Sequence, residues 1–424
     1  MAYIVGLLII LGGIGLLMAD LEIVHFPEIA WTSVGPYLLM AAGVGLIVVA
    51  NKAKCYWNRV SRRLARAVEK IDLLYESAEI QKESARDEYS ELHGIVKLYS
   101  NSPSLYRASK LWENLFLLHL RWIKENGVSN FKRSVNLGYF QWKIGLRDDQ
   151  LISVLRHASP LAVLNHFMKI RIPAPLTDDV GSAPQNRFIY RLFMAGLIEA
   201  ARSVDRQQLF DRIEEPSLGN PWPVYYKNMR TSQDVCNSLI EYYSISSISD
   251  LPERAIIGEL GAGYGRSAYM FLKASPGMKY VVFDIPPAIY VSQWYLSHVF
   301  PDKKIFKVQS FRNFEDIRKG YEQSDIAFFL PEQIELFPDK HFNLFLNISS
   351  LGEMRLEQIR NYLFQISRMT HGYFYSKQWV TSVNTGDNMV IRKEEYPVPP
   401  GWEIVYSRNT IVQKKFFETL YRIR

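Results

Sequence analysis

Apolar residues run unbroken over residues 2–18. They do so again over residues 31–50, where only Thr32, Ser33, Gly35 and Pro36 interrupt. Each run approaches the ~20 residues that cross a bilayer as a helix. The short loop between them is acidic, with Asp20, Glu22 and Glu28. The pattern predicts a transmembrane helical hairpin, and the absence of basic residues before the first run argues against a cleaved signal peptide. From residue 56 to about residue 98 the period becomes helical. Val60, Leu64, Ala67, Ile71, Leu74 and Ala78 keep alternating four-three spacing, an a/d seam. The seam fits a coiled coil making a homo-oligomer through residues 60–78, and equally a stalk helix packing on its own domain.

Residues 104–172 read as further helices rich in aromatics, 173–181 as a loop with two prolines and two aspartates, and helices resume to about residue 209. Gly219-Asn-Pro-Trp-Pro223 is extended. Ser232 is an N-cap for the apolar helix carrying Cys236, Leu239, Ile240 and Tyr243. After residue 254 buried strands alternate with helices: strands at 255–260, 280–284, 305–308, 342–348 and 373–377, with helices from 266, at 287–300 and at 355–369. Two closing segments, 402–406 and 415–421, predict an antiparallel edge hairpin. The fold class expected is α/β, a Rossmann-like sheet preceded by a helical region. The boundaries read as 1–51 for the membrane hairpin, 52–100 for the stalk, 101–250 for a helical lid or substrate region and 251–424 for the sheet domain.

Charge refines this picture. The chain has 50 Lys and Arg against 43 Asp and Glu, a net +7. Much of the excess sits in Lys52, Lys54, Arg59, Arg62, Arg63 and Arg66, directly after the second apolar run. That cluster places this end in the cytoplasm and suits anionic headgroups, so membrane lipids rather than nucleic acid are the expected partner. The two cysteines, Cys55 and Cys236, permit neither a disulfide framework nor a zinc spacing, in keeping with a reducing compartment.

The candidate chemistry centres on 255–265, AIIGELGAGYG. A buried strand ends in Glu259, then Gly261, Gly263 and Gly265 make a tight turn into a helix. Such a turn lets backbone N–H groups approach a ligand. Twenty-five residues past Glu259, the strand 280–284 ends in Asp284. Adjacent parallel strands put both acids on the carboxyl edge, where Asp284 can accept from two ribose hydroxyls. That serves a dinucleotide or S-adenosylmethionine. The third glycine comes one residue early for GxGxxG, and Glu259 suits the methionine ammonium, so S-adenosylmethionine is the expected cofactor. Ser310 and Phe311, after the 305–308 strand, are placed to bracket an adenine, and Asn347 ends the 342–348 strand at the same edge. Asn130, Lys132 and Arg133, interleaved with aromatics, suit an anionic or neutral sugar, or else form a helix cap. Gln233 and Asp234 are candidate substrate or lid contacts.

ELGAGYGR at 259–266, VVFDIP at 281–286 and NISSLGEM at 347–354 resemble the sugar O-methyltransferase family of class I S-adenosylmethionine-dependent enzymes. NFKRSVN at 130–136 and TSQDVCNS at 231–238 resemble it too. The resemblance covers roughly residues 105–424. It implies a class I fold, S-adenosylmethionine as donor and a sugar hydroxyl of a bacterial surface glycan or its precursor as acceptor. The apolar hairpin and the basic cluster after it, read with that acceptor, place the enzyme on the bacterial inner membrane with its catalytic domain in the cytoplasm. The 1–50 hairpin lies outside the family pattern, which leaves a glycolipid acceptor open.

A sugar hydroxyl needs a general base. Glu353 is the candidate and His371 the runner-up; Asp325 with Glu353 could alternatively help hold a divalent metal, though no ligand cluster is evident and no metal is expected. Two other readings stand beside the glycan enzyme: a methyltransferase on a lipid or lipid-carrier headgroup, and a non-catalytic scaffold of a glycan-assembly complex.

Overall fold

A computed structural model of the chain describes residues 89–133, 144, 147–173 and 186–424, all within one unit, Ser77–Arg424. The expected membrane hairpin, the basic cluster and the 60–78 seam lie outside the described residues. No helix among the described residues is long and apolar enough to cross a membrane.

In chain order the helical region contains α1 (Ser90–Tyr99), α2 (Lys110–Asn126), α3 (Asp149–His157), α4 (Pro160–Lys169), the short strand β1 (Ile170–Arg171), α5 (Arg187–Val204), strands β2 (Tyr225–Tyr226) and β3 (Met229–Arg230), and α6 (Gln233–Ser246). Strands β1, β2 and β3 form a small antiparallel sheet. The sequence reading had no such sheet, because two-residue strands carry no periodicity. Ser232 caps α6, its hydroxyl accepting from Val235 N at 3.1 Å.

The sheet domain follows with β4 (Ile256–Leu260), α7 (Arg266–Ala274), β5 (Lys279–Phe283), α8 (Ala288–Val299), β6 (Ile305–Phe306), α9 (Arg318–Glu322), β7 (Ile326–Phe329), β8 (Phe342–Ile348), α10 (Leu356–Met369), β9 (Thr370–Trp379), β10 (Thr381–Asn384), β11 (Met389–Arg392), β12 (Glu403–Asn409) and β13 (Phe416–Ile423). The main sheet runs β12-β13-β9-β8-β4-β5-β7-β6. β8, β4, β5, β7 and β6 are parallel to one another, as is β9 to β8, while β13 enters antiparallel to β9 and to β12. This mixed sheet with flanking helices and a reversed closing hairpin fits the class I methyltransferase fold.

Burial explains the order. β4, β5, β7 and β8 are almost wholly buried, as parallel strands covered on both faces must be. Gly258 lets the Phe345 ring press on the middle of β4; an added Cβ would lie 2.4 Å from that ring.

Strand β7 corrects the sequence reading. It lies between β5 and β6, so the 342–348 strand is the fifth of the domain, not the fourth. Its four residues IAFF are too short a run to separate from a buried loop. The β10–β11 hairpin was likewise not expected.

Candidate functional site

The carboxyl edge of the sheet carries the site. Gly261, Gly263 and Gly265 all have positive φ, at 73°, 61° and 88°. At Gly261 a Cβ would meet Ser350 Oγ at 2.3 Å, and at Gly265 it would meet Leu296 Cδ1 at 2.8 Å. Only glycine fits this turn between β8 and α8. The turn is tied to β5 by Asp284, which accepts from Gly263 N and Ile285 N, each at 2.8 Å.

Two cavities open beside the turn, and Gly261 and Ser350 line both. The larger, about 220 Å³, is walled by Glu259, Asp234, Arg266, Glu353, Lys377 and Trp379, among others. The smaller lies over Asp284, Ile285 and Pro331. It is roofed by residues 106–109 and Trp112, from the segment leading into α2. That roof is bound to α10: Gln358 Nε2 donates to Leu105 O and Arg107 O, each at 2.8 Å, and Asn361 Nδ2 donates to the Tyr106 hydroxyl at 2.7 Å.

The electrostatics are dominated by carboxyls. Burial pushes Glu259 up to about 7 against the opposing hydrogen bond from the Tyr280 hydroxyl, 2.7 Å from Glu259 Oε2. Burial likewise pushes Asp284 up to about 7 in spite of its two backbone donors. Glu353 is raised to about 7 by burial, while the Trp112 indole N–H, 2.8 Å from its Oε2, pulls the other way. Asp234 is raised by burial to about 6 and accepts from the Tyr264 hydroxyl at 2.8 Å. The cations at the site are already matched. Burial would raise Glu241, but Arg266, at 2.5 Å, and Lys377, at 2.8 Å, hold it down to about 2. Four carboxyls thus face the two cavities, and a cationic, hydroxyl-bearing ligand would relieve the cost of their burial.

The remaining expected residues fall elsewhere. Lys132 is buried at 2 % exposure, paired with Glu215 and held over the Tyr264 and Tyr295 rings at 4.7 and 4.6 Å. It packs behind the glycine turn and lines neither cavity. Arg133 Nε donates to Asn220 O at 2.7 Å, and Asn130 Oδ1 accepts from Asn220 Nδ2 at 2.9 Å. These two latch the 219–220 loop. Gln233 is buried at the first turn of α6. Asn347 is fully buried, and its amide bridges Leu260 O, Ser350 Oγ, Leu351 N and Gln378 Nε2. It clasps β4, β8 and β9 and has no capacity left for a ligand.

Ser310 and Phe311 follow β6, the outer strand, because β7 takes the place beside β5. Ser310 is exposed, and Phe311 packs edge-on against Phe329 at 5.8 Å. Pro331, after β7, lines the Asp284 cavity instead. His371 is exposed at the amino end of β9 and contacts Asn343 Nδ2 at 3.2 Å. Eight residues of strand, about 26 Å, separate it from Trp379 at the cavity, so it is no base for this site. Asp325 precedes β7 at the same far edge, where it accepts from Lys304 N at 2.8 Å, so it cannot share a metal with Glu353. Among the described residues no group of three or more His, Cys, Asp and Glu side chains gathers to hold a metal ion.

Sequence reasoning missed Arg266, Glu241 and Lys377, which fix the charge at the cavity floor. A lysine near the carboxyl end of an otherwise apolar strand was the available signal for Lys377. Trp112 carried no signal, since its partner lies 241 residues away.

No family model matches the chain, and no curated protein matches it. Solved structures that match include a PH0226 protein from Pyrococcus horikoshii, 13 % identical, over 52 % of this chain and 93 % of that one, at a TM-score of 0.31. A 1,6-didemethyltoxoflavin-N1-methyltransferase from Burkholderia thailandensis, solved with S-adenosylhomocysteine, matches at 16 % identity over 40 % and 71 %, at a TM-score of 0.28. The YcgJ protein from Bacillus subtilis matches at 16 % identity and a TM-score of 0.22, over 31 % of this chain; the match spans about half, 47 %, of YcgJ itself. None of these likenesses is tight enough to assign an activity.

Proposed function

We propose that the protein is an S-adenosylmethionine-dependent O-methyltransferase acting on a sugar hydroxyl. The observation that carries this reading is the set of buried carboxyls around one glycine turn. Asp284, directly after β5 and beside the turn, has one backbone donor on each oxygen, which leaves a lone pair on each, suited to two ribose hydroxyls. Glu259, 1 % exposed and at the start of the turn, suits an ammonium group. S-adenosylmethionine, when bound, supplies an electrophilic methyl group.

The chain's own residues supply alignment and proton transfer. Glu353 lines the larger cavity, and its raised pKa suits a base that must take a hydroxyl proton near neutrality. Trp112 fixes one carboxylate oxygen and leaves the other for the acceptor. The roof at 106–109 and Trp112 covers one side of the smaller cavity and holds the cofactor's edge of the site in place. Trp379 and Phe416 give the larger cavity an apolar wall against which a sugar face can lie. The apolar runs 2–18 and 31–50 support an inner-membrane location with a cytoplasmic catalytic domain, and a glycan or glycolipid acceptor built at that surface.

The test is a transfer assay with methyl-labelled S-adenosylmethionine, the detergent-purified full chain and bacterial surface-glycan fractions. The reading requires label in an alkali-stable methyl ether. Label in an alkali-labile ester, or in a lipid headgroup alone, contradicts it.

A further inference from the structure

Beside the larger cavity, and sharing Trp379, Gln413 and Phe416 with it, lies a third cavity of about 90 Å³. Its other walls are residues 148–150, at the start of α3, and Lys414 and Lys415, from the turn before β13. Two observations single it out. Trp379 and Phe416 pack with ring centroids 4.3 Å apart and form a continuous aromatic wall running from one cavity into the next. Gln150 and Gln413 both line it, and each residue is about nine-tenths buried, at 7 % and 9 % exposure. Neither amide is among the buried, unpartnered polar atoms of the described residues, so both face the cavity's solvent and are open to a ligand's hydroxyls. Asp149 and Lys415, paired at 2.8 Å, close the rim.

We infer that this cavity is a second acceptor subsite, holding the saccharide unit next to the one that is methylated. The chemistry is that of carbohydrate: an aromatic face for the apolar side of a pyranose, and amides that both donate and accept for its hydroxyls. The subsite makes the protein a reader of linked sugars rather than of free monosaccharides. Its direction is set by the fold. One unit lies toward Glu353 and the other past Trp379, between α3 and the turn before β13. The inference rests on the saccharide reading of the acceptor.

The experiment measures affinities of the full chain, saturated with S-adenosylhomocysteine, for a panel of monosaccharides and their matched disaccharides. The sugars are glucose, galactose, mannose and rhamnose, and the method is saturation-transfer difference NMR. At least one disaccharide binds about tenfold more tightly than its monosaccharide, the gain from one or two added hydrogen bonds. Gln150→Ala and Gln413→Ala each bring that ratio to about one. Where one variant fails to fold, as judged by its thermal midpoint, the other decides. Equal affinity for every matched pair overturns the inference, as does a ratio that survives both substitutions, or no disaccharide binding by protein that binds S-adenosylhomocysteine. Failure to bind S-adenosylhomocysteine itself overturns the methyltransferase reading instead.

Discussion

The indole of Trp112 donates to Glu353 Oε2 at 2.8 Å, joining the start of α2 to the loop that follows β8. The bond is local in space and remote in sequence. It makes the roof of the smaller cavity and the candidate base one mechanical unit. Lys110 N strengthens the same junction by donating to Asp387 Oδ2 at 3.0 Å, while Asn384 Nδ2 donates to Glu353 O at 3.0 Å. The β10–β11 hairpin thereby grips both partners.

A base must be ionised to accept a proton, and burial holds Glu353 up at about 7. The acid limb of the kcat profile should therefore fall as pH drops through about 7. Glu353→Gln should cost 10² to 10⁴ in kcat, the range for a lost general base. Trp112→Phe removes a donor that favours the carboxylate, so its acid limb should move to higher pH. A limb that stays in place in Trp112→Phe would detach the indole from the base.

Glu259, Asp284 and Glu353 all keep their protons to about pH 7 when folded and lose them near pH 4 when unfolded. Between those values the folded chain binds more protons than the unfolded one, so these groups make the ligand-free protein less stable as pH rises. Their contribution is full below about pH 4 and gone above about pH 7. Glu259→Gln should gain on the wild type in thermal midpoint across that window. A difference independent of pH would show that Glu259 does not titrate as its burial demands.

Lys132 separates two readings of the NFKR segment. As a substrate contact, Lys132→Met would raise KM and leave stability alone. As the buried partner of Glu215, it should cost 3–5 kcal/mol in urea unfolding by leaving that carboxyl unpaired. Adding Glu215→Gln should recover part of the loss.

Gly261→Ala combines a positive φ with a Cβ 2.3 Å from Ser350 Oγ. The backbone alone should cost about 1–2 kcal/mol, and displacement of Ser350 should disturb both cavities that it lines. Circular dichroism melting checks the first effect and cofactor titration the second.

The glycine turn and its two acids were legible because each is encoded locally, in a buried run, a change of period and an acid at the strand end. The closing antiparallel hairpin was legible for the same reason. Ser310 and Phe311 misled because the sequence gives no sign that β7 inserts between β5 and β6. Lys132 and Asn347 misled differently. Each has the chemistry of a site residue, and each is consumed by partners remote in sequence, Glu215 and Gln378 among them. Polar residue type reveals a need for partners but not whether protein or ligand supplies them.

The most direct test is calorimetric titration of the detergent-purified chain with S-adenosylmethionine and, separately, with NADH, repeated on Asp284→Ala. The account predicts micromolar binding of the methyl donor, weakened at least tenfold in the variant by loss of the paired hydrogen bonds, and no binding of NADH. A folded wild-type chain that ignores the methyl donor, or an Asp284→Ala variant that binds it as well as the wild type does, would contradict it.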